Sequence, residues 1–204
     1  MPFLERTLRR LRYGRPIVVV SGLPRSGTSM AMKMLHAGGL DVVTDGIRQA
    51  DESNPKGYFE LEAVKELDKH AGTAWLRAAR GKAVKIVSSL LTYLPEDNEY
   101  KVIFMRRDLD EVLASQNKML VQRGEAPGTP EHDAQLRDYY EQHLVKVHRF
   151  LARRSCFSVL TVDYRSALER PQDEARRMNT FVGGTLDEAR MAEVGDPLLY
   201  RNRR

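Results

Sequence analysis

Residues 22–29 carry two glycines, one arginine and three hydroxyl side chains, a set that suits the binding of a phosphate-like anion. The apolar run at 17–20 predicts a buried strand, and the residues after Gly27 have a helical pattern. In a strand–loop–helix of this kind, backbone N–H groups and the positive end of the helix dipole converge on one point. The candidate ligand-binding residues of this segment, called the phosphate loop below, are Gly22, Pro24, Arg25, Ser26, Gly27, Thr28 and Ser29.

The phosphate loop departs at one position from the loop of nucleotide kinases. Gly22 and Gly27 have the spacing of the pattern G-x-x-x-x-G-K-[ST], but Thr28 stands where that pattern has lysine. A kinase needs this lysine against the β- and γ-phosphates of ATP. Here the cation lies inside the loop, at Arg25, so we expect a different phosphoryl-like ligand. The alternative to a ligand site is a tight turn that binds nothing. The presence of Arg25 between two glycines makes this alternative the weaker of the two.

A second motif follows a predicted strand at 101–106. Arg107 comes directly after this strand, and Asp108 is well suited to cap a helix that runs to about residue 120. Ser115 lies eight residues after Arg107, within that helix. Without a ligand-binding role, Arg107 would simply form a local ion pair and Ser115 would be an ordinary residue of the helix face.

These motifs resemble those of the sulfotransferases, which use 3′-phosphoadenosine-5′-phosphosulfate (PAPS) and release 3′-phosphoadenosine-5′-phosphate (PAP). The segment 24–29 is most similar to the 5′-phosphosulfate loop of protein-tyrosine sulfotransferases and of small bacterial sulfotransferase-like proteins. The resemblance implies that PAPS is the co-substrate and that Arg107 and Ser115 bind its 3′-phosphate. In a looser third match it implies that Tyr164 lies near the nucleotide, although a structural role suits this residue better. The family's usual proline two residues after the arginine is Leu109 here.

Sulfuryl transfer to a hydroxyl needs positioned positive charge and a base that accepts the hydroxyl proton. We expect Arg25 to stabilise charge on the leaving 5′-phosphate. In protein-tyrosine sulfotransferases the base is a glutamate soon after the first helix, followed closely by an arginine. The residues aligned with that pair are Asp45, which is one position early, and Arg48. The base assignment stays open, because a turn or capping role is the alternative for Asp45, and the reserve carboxylates are Asp51, Glu52 and Glu60.

The order of the predicted elements indicates an α/β fold, and the resemblance implies that this fold is of the P-loop nucleotide-kinase type. Strands alternate with helices, which favours a five-stranded parallel sheet with helices on both faces and the nucleotide at the carboxyl ends of the strands. We predict one domain over 1–204. The predicted strands are 16–21, 41–44, 83–87, 101–106 and 157–162, and the predicted helices are 26–37, 61–71, 88–94, 108–120 and 131–154. Residues 121–130 have the glycine- and proline-rich composition of a mobile lid loop.

Charge and cysteine content narrow the class of protein further. The net charge of +5 is concentrated at the chain ends: residues 1–15 carry +4 and residues 201–204 carry +3, so 16–200 is about −2. This distribution argues against a broad nucleic-acid interface. A basic amphipathic helix over 3–12 either contacts an anionic membrane or partner, or packs on its own domain, which we favour. A single cysteine and the absence of an 18-residue apolar run predict a cytoplasmic protein without a spanning helix.

The sequence therefore predicts an enzyme that moves a sulfuryl group from PAPS to an acceptor hydroxyl whose identity no motif reveals. The five histidines are scattered along the chain and the reaction does not demand a metal, so no metal site is predicted. Two other functions are kept as rivals: a P-loop nucleotide or small-molecule kinase, and a catalytically silent protein that binds PAP or another nucleotide.

Overall fold

A parallel sheet with the strand order β2-β1-β3-β4 lies at the centre of the computed structural model, which describes residues 11–46, 59–69 and 72–195. Its strands are β1 (Ile17–Gly22), β2 (Ala83–Lys85), β3 (Tyr100–Arg106) and β4 (Phe157–Asp163). All three strand pairs are parallel, with Val20 beside Lys85 on one side of β1 and beside Ile103 on the other. The carboxyl ends of the strands therefore meet at one edge of the sheet, as the sequence predicts.

The described residues form four strands rather than the predicted five. The segment 41–44 makes only a single bridge, Val42 to Ala83, with Val43 N donating to Ala83 O at 2.8 Å. The chain then turns away, because Thr44 Oγ1 donates to the carbonyl of Glu60 and accepts from the amide of Gly46. These side-chain hydrogen bonds replace the ladder that a fifth strand would need.

Helices and 3₁₀ segments connect the strands close to the predicted places. The 3₁₀ helices are Glu62–Lys69 and Ser88–Tyr93. The α-helices are α1 (Thr28–Ala37), α2 (Trp75–Ala78), α3 (Leu109–Gln122), α4 (Pro130–Ala152), α5 (Tyr164–Glu169), α6 (Pro171–Val182) and α7 (Glu188–Glu193). Of the predicted basic helix over 3–12, only residues 11 and 12 lie within the described part of the chain, and both are helical there.

Both faces of the sheet are covered, and this explains why β1 is apolar at consecutive positions. Val18 and Val20 pack on α1 and on the C-terminal helices, in a core that includes Met32 and Met178. Ile17 and Val19 face the other core, which includes Val147 and Leu151 of α4. Every residue of β1 is buried, so the strand that leads into the phosphate loop is fixed from both sides.

Helices α3 and α4 pack against each other beside the phosphate loop. Leu23 of the loop is buried against Val112 and Leu113 of α3 and Tyr140 of α4. The inward face of α4 is apolar: Tyr140, Val147 and Leu151 are buried, and Leu136 and Leu144 are partly buried against the cores. The loop backbone is thereby held in place by apolar contacts as well as by its own hydrogen bonds.

The connection between α3 and α4, predicted as a mobile lid, is anchored near its C-terminal end. The amide of Gly128 donates to Asn117 Oδ1 at 2.9 Å, and Asn117 Nδ2 donates to Asp133 Oδ2 at 2.8 Å. Thr129 caps α4 by accepting from the amide of His132. A single asparagine of α3 therefore links both helices to the connection between them.

Candidate active site

The phosphate loop places its backbone in conformations that glycine tolerates best. Gly22 has a φ of 148° and Gly27 a φ of 101°. A Cβ on Gly22 would lie 2.6 Å from the carbonyl oxygen of Met105, and one on Gly27 would lie 2.4 Å from Cδ2 of Tyr164. Both glycines are therefore required by close packing as well as by backbone angle.

The N-terminus of α1 has none of the usual compensation for its free N–H groups. Gly27 is the N-cap residue, no side chain accepts from the first turn, and the first turn contains no acidic residue. Helices α3, α4, α5 and α7, by contrast, are capped by Asp108, Thr129, Asp163 and Asp187. An anion bound in the loop would satisfy the donors of α1 and complement its dipole.

Buried serine hydroxyls in and next to the loop add to this donor set. Ser26 is 1% exposed, and its Oγ has no hydrogen-bond partner in the described structure; the same is true of Ser21 Oγ at the end of β1. An unsatisfied buried hydroxyl costs about 1–3 kcal/mol. A phosphate or phosphosulfate oxygen could accept from Ser26, so the residues present fit the 5′ end of PAPS.

Arg25 connects the phosphate loop with the β3–α3 motif. Its φ is 67°, which is uncommon for a residue with a side chain. In this conformation Arg25 Nε donates to Ser115 Oγ at 3.0 Å, and the Arg25 carbonyl accepts from Arg107 Nη1 at 3.1 Å. The structure thus brings together three predicted residues that are up to 90 positions apart in sequence.

Arg107 is held on three sides. Its Nε donates to Glu111 Oε2 at 2.9 Å, and the two side chains are only 8% and 10% exposed. Its guanidinium carbon lies 4.3 Å from the ring centroid of Tyr164, a cation–π contact. Tyr164 begins α5 and its ring also packs on Gly27. Burial raises the pKa of Tyr164, so its hydroxyl stays neutral. These contacts with Arg107 and Gly27 agree with a structural role for Tyr164.

Asp45 has a local structural contact in addition to its predicted chemical role. Its Oδ2 accepts from the amide of Glu62 at 2.6 Å, and its own amide donates to the carbonyl of Glu60 at 3.3 Å. It therefore stabilises the start of the 3₁₀ helix Glu62–Lys69, which corresponds to the capping alternative. Of the other predicted residues in this region, Arg48, Asp51 and Glu52 lie outside the described residues.

Lys85, which the sequence motifs did not single out, lies at the carboxyl edge of the sheet. It ends β2 beside Val20 of β1, and its Nζ lies 3.2 Å from Glu60 Oε1. The two side chains are 14% and 23% exposed. A lysine within the predicted strand 83–87 is the one sequence signal that could have drawn attention to it. This pair puts a cation and a carboxylate on the β2 side of the phosphate loop.

Within the described part of the chain, no group of three or more histidine, cysteine, aspartate or glutamate side chains is arranged to hold a metal ion. Two of the three histidines of α4, His143 and His148, have other contacts. His143 Nε2 and Ser88 Oγ share a hydrogen bond of 2.8 Å, and the His148 ring lies 4.7 Å from the ring of Phe104.

Comparison with known proteins identifies the family of this chain. The family model for the sulfotransferase domain matches residues 15–202. This chain belongs to the sulfotransferase domain family. No curated protein sequence matches it significantly.

Two solved structures are similar to this chain. The sulfotransferase domain from the curacin biosynthetic pathway is 15% identical, with 89% of this chain and 78% of that chain covered and a TM-score of 0.50. Retinol dehydratase, solved in complex with androsterone and inactive cofactor PAP, is 16% identical, with 95% and 68% covered and a TM-score of 0.44. At this level of identity, the similarity to the curacin domain shows the fold.

The sequence-based identification as a PAPS-dependent sulfotransferase is therefore confirmed at the level of family and fold. This sulfotransferase has the expected α/β architecture with a parallel sheet, corrected from five strands to four among the described residues. None of the helices that the structure describes is both long and apolar enough to cross a bilayer.

Proposed function

We propose that this sulfotransferase binds PAPS across the phosphate loop and the β3–α3 junction, and that it transfers the sulfuryl group to an acceptor hydroxyl. The observation that carries the proposal is the hydrogen-bond network joining Arg25, Ser115 and Arg107. This network joins two motifs that separately resemble 5′- and 3′-phosphate sites.

The 5′ end of PAPS is assigned to the phosphate loop. The free N–H groups at the start of α1, together with the Ser26 hydroxyl, supply donors to the 5′-phosphate. Thr28 and Ser29 begin α1 and add hydroxyls there. Arg25 stabilises the charge that gathers on this phosphate as the bond to sulfur breaks. Bound PAPS supplies the sulfuryl group itself, whose transfer requires mainly positioning and charge stabilisation.

The 3′-phosphate is assigned to Arg107 and Ser115. The Nε and one N–H of Nη1 of Arg107 are used within the protein. Its Nη2 has no hydrogen-bond partner among the described residues, and a guanidinium donates well to phosphate oxygens. Ser115 is buried two turns into α3, and its hydroxyl, which accepts from Arg25 Nε, is the second group assigned to the 3′-phosphate.

For the base, we propose Glu60 over Asp45 among the carboxylates that the structure describes. One Asp45 oxygen is committed to the amide of Glu62, whereas Glu60 extends toward Lys85 at the carboxyl edge of the sheet. Lys85 would keep the Glu60 carboxylate in place and add positive charge near the transferred group. Arg48, which lies outside the described residues, is retained as the arginine that aligns with the family's catalytic arginine.

The finer aspects of the function rest on the sequence. We propose a cytoplasmic setting, supported by the single cysteine, Cys156, which is buried. One domain over 1–204 is retained as a proposal, as is a hydroxyl-bearing acceptor. Contact of the basic N-terminal segment with an anionic surface is retained as the weaker of its two interpretations, and nucleic acid is not an expected partner.

The experiment that tests this function is an acceptor screen with sulfur-labelled PAPS. The panel comprises phenols, aliphatic alcohols, tyrosine peptides and amines, and the label is followed from PAPS to product. We expect acceptor-dependent transfer that is lost in Arg25→Ala and retained in the matched control Arg106→Ala, since Arg106 lies 69% exposed in an ion pair with Asp163. Binding of PAP without transfer to any acceptor would identify a silent nucleotide-binding protein instead.

A further inference from the structure

A buried carboxylate lies within the proposed 3′-phosphate site, where a negative charge by itself opposes binding. Glu111 is in the first turn of α3, and its side chain is 10% exposed. Its neighbour Asp110 is also in the first turn, but it pairs with Arg137 of α4 instead. Both acids complement the helix dipole, yet only Glu111 contacts Arg107. The helix dipole alone therefore does not explain why the Glu111 side chain is buried.

We infer that Glu111 is a positioning residue that orients the Arg107 guanidinium toward the 3′-phosphate, an inference that rests on the proposed function. Glu111 accepts from Nε, the Arg25 carbonyl accepts from Nη1, and the Tyr164 ring covers one face of the guanidinium. A planar group held at two donors and one face has a single orientation. That orientation leaves Nη2 as the donor edge for a ligand.

Positioning of this kind explains how an acid can favour anion binding. An arginine side chain that is free to rotate loses conformational entropy when it binds a phosphate. Glu111 removes that loss in advance by fixing Arg107 before the ligand arrives. The benefit depends on the reach and geometry of the acceptor oxygen, not on its charge, and this separates positioning from simple charge balance.

Two conservative variants distinguish positioning from charge balance. Glu111→Gln removes the charge but keeps an oxygen that can accept from Arg107 Nε, whereas Glu111→Asp keeps the charge but shortens the reach by one methylene. The readout is the ratio of the dissociation constants of adenosine 5′-phosphate (AMP) and PAP, measured by calorimetry. The two nucleotides differ only in the 3′-phosphate.

We expect Glu111→Gln to keep the preference for PAP within about threefold of the unsubstituted protein, or to raise it. Glu111→Asp should lower the preference by roughly ten- to a hundredfold, which is the range for one well-placed charge-assisted hydrogen bond. The matched control Asp110→Ala removes the other first-turn acid and should leave the preference unchanged. The reverse pattern, with Asp tolerated and Gln not, would overturn the inference, as would an unchanged preference in Glu111→Asp.

Arg107→Ala separates failure of this inference from failure of the proposed function. If Arg107→Ala abolishes the preference for PAP while Glu111→Asp keeps it, the 3′-phosphate site stands and Glu111 does not position Arg107. If Arg107→Ala also keeps the preference, the proposed 3′-phosphate site itself is wrong.

Discussion

At the residue scale, the proposed function depends on the guanidinium groups of Arg25 and Arg107. Arg25 lies in the phosphate loop, Arg107 follows β3, and the backbone of one is hydrogen bonded to the side chain of the other. Neither arginine occupies the position of the lysine that nucleotide kinases use, which is Thr28 in this chain. These two arginines are proposed to bind two separate phosphates, which suits PAPS better than a triphosphate.

The substitution Arg107→Ala tests the assignment of the 3′-phosphate. Removal of the guanidinium should weaken PAP by roughly ten- to a hundredfold and AMP by much less, since AMP lacks the 3′-phosphate. Titration calorimetry with both nucleotides measures the difference. Arg106→Ala is the matched control because Arg106 is exposed and pairs with Asp163. An equal loss for PAP and AMP would show that Arg107 does not contact the 3′ position.

The substitution Glu60→Gln tests the base. It keeps the shape and removes the proton acceptor, so turnover should fall by roughly a hundredfold or more while PAP binding is retained. Asp45→Asn should retain turnover and lower stability by about 1 kcal/mol, because it weakens the contact with the amide of Glu62. Loss of turnover in Asp45→Asn with Glu60→Gln still active would restore the family-aligned aspartate as the base.

The residues that sequence alone could identify are those whose roles depend on local spacing. Gly22, Gly27 and Arg25 form one short loop, and Arg107 and Ser115 are eight residues apart, just before and within one helix. The contacts of Arg25 with Ser115 and of Lys85 with Glu60 depend on how distant segments meet. No local pattern encodes such contacts, which is why Lys85 went unnoticed and why the base stayed open.

At the element scale, the start of α1 depends on Gly27. Its φ of 101° and the Tyr164 ring against it leave no room for a side chain. Gly27→Ala should lower the free energy of unfolding by roughly 2–4 kcal/mol. Gly39→Ala is the matched control, since Gly39 has a φ of 96° but a methyl group there would meet no atom within 4 Å, and it should cost only about 1 kcal/mol. Urea unfolding measures both, and equal losses would contradict the packing argument.

Element boundaries were predictable where capping chemistry marks them. Asp108 caps α3 as expected, accepting from the amides of Asp110 and Glu111. The strand predicted at 41–44 was wrong because the Thr44 hydroxyl donates to the carbonyl of Glu60 and accepts from the amide of Gly46, and the apolar pattern does not reveal this turn. The sequence also did not predict that Asn117 anchors the α3–α4 connection, because this contact too is made by side-chain hydrogen bonds.

At the scale of the whole molecule, two histidines of α4 couple stability to pH. Burial lowers the pKa of both His143 and His148, with Lys146 adding to the effect at His143. The folded state therefore binds fewer protons than the unfolded state below the usual histidine pKa of 6.5. Stability should be fully present above about pH 6.5 and should fall as the pH drops through the lowered values.

Urea unfolding at pH 7.5 and pH 5.5 checks this coupling. The protein should be less stable at pH 5.5, and the double variant His143→Gln, His148→Gln should show a smaller difference between the two conditions. An undiminished difference in the double variant would assign the pH dependence to other groups.

The central claim, that the chain recognises PAPS and not a nucleoside triphosphate, is tested most directly by a thermal melt with two ligands. PAP and ATP with magnesium are compared at equal concentration, and each shift of the melting temperature reports binding to the folded state. Because the loop has Arg25 but no lysine at position 28, and because Arg107 and Ser115 are available for a 3′-phosphate, PAP should raise the melting temperature more than ATP does. A larger shift with ATP and magnesium than with PAP would contradict the account.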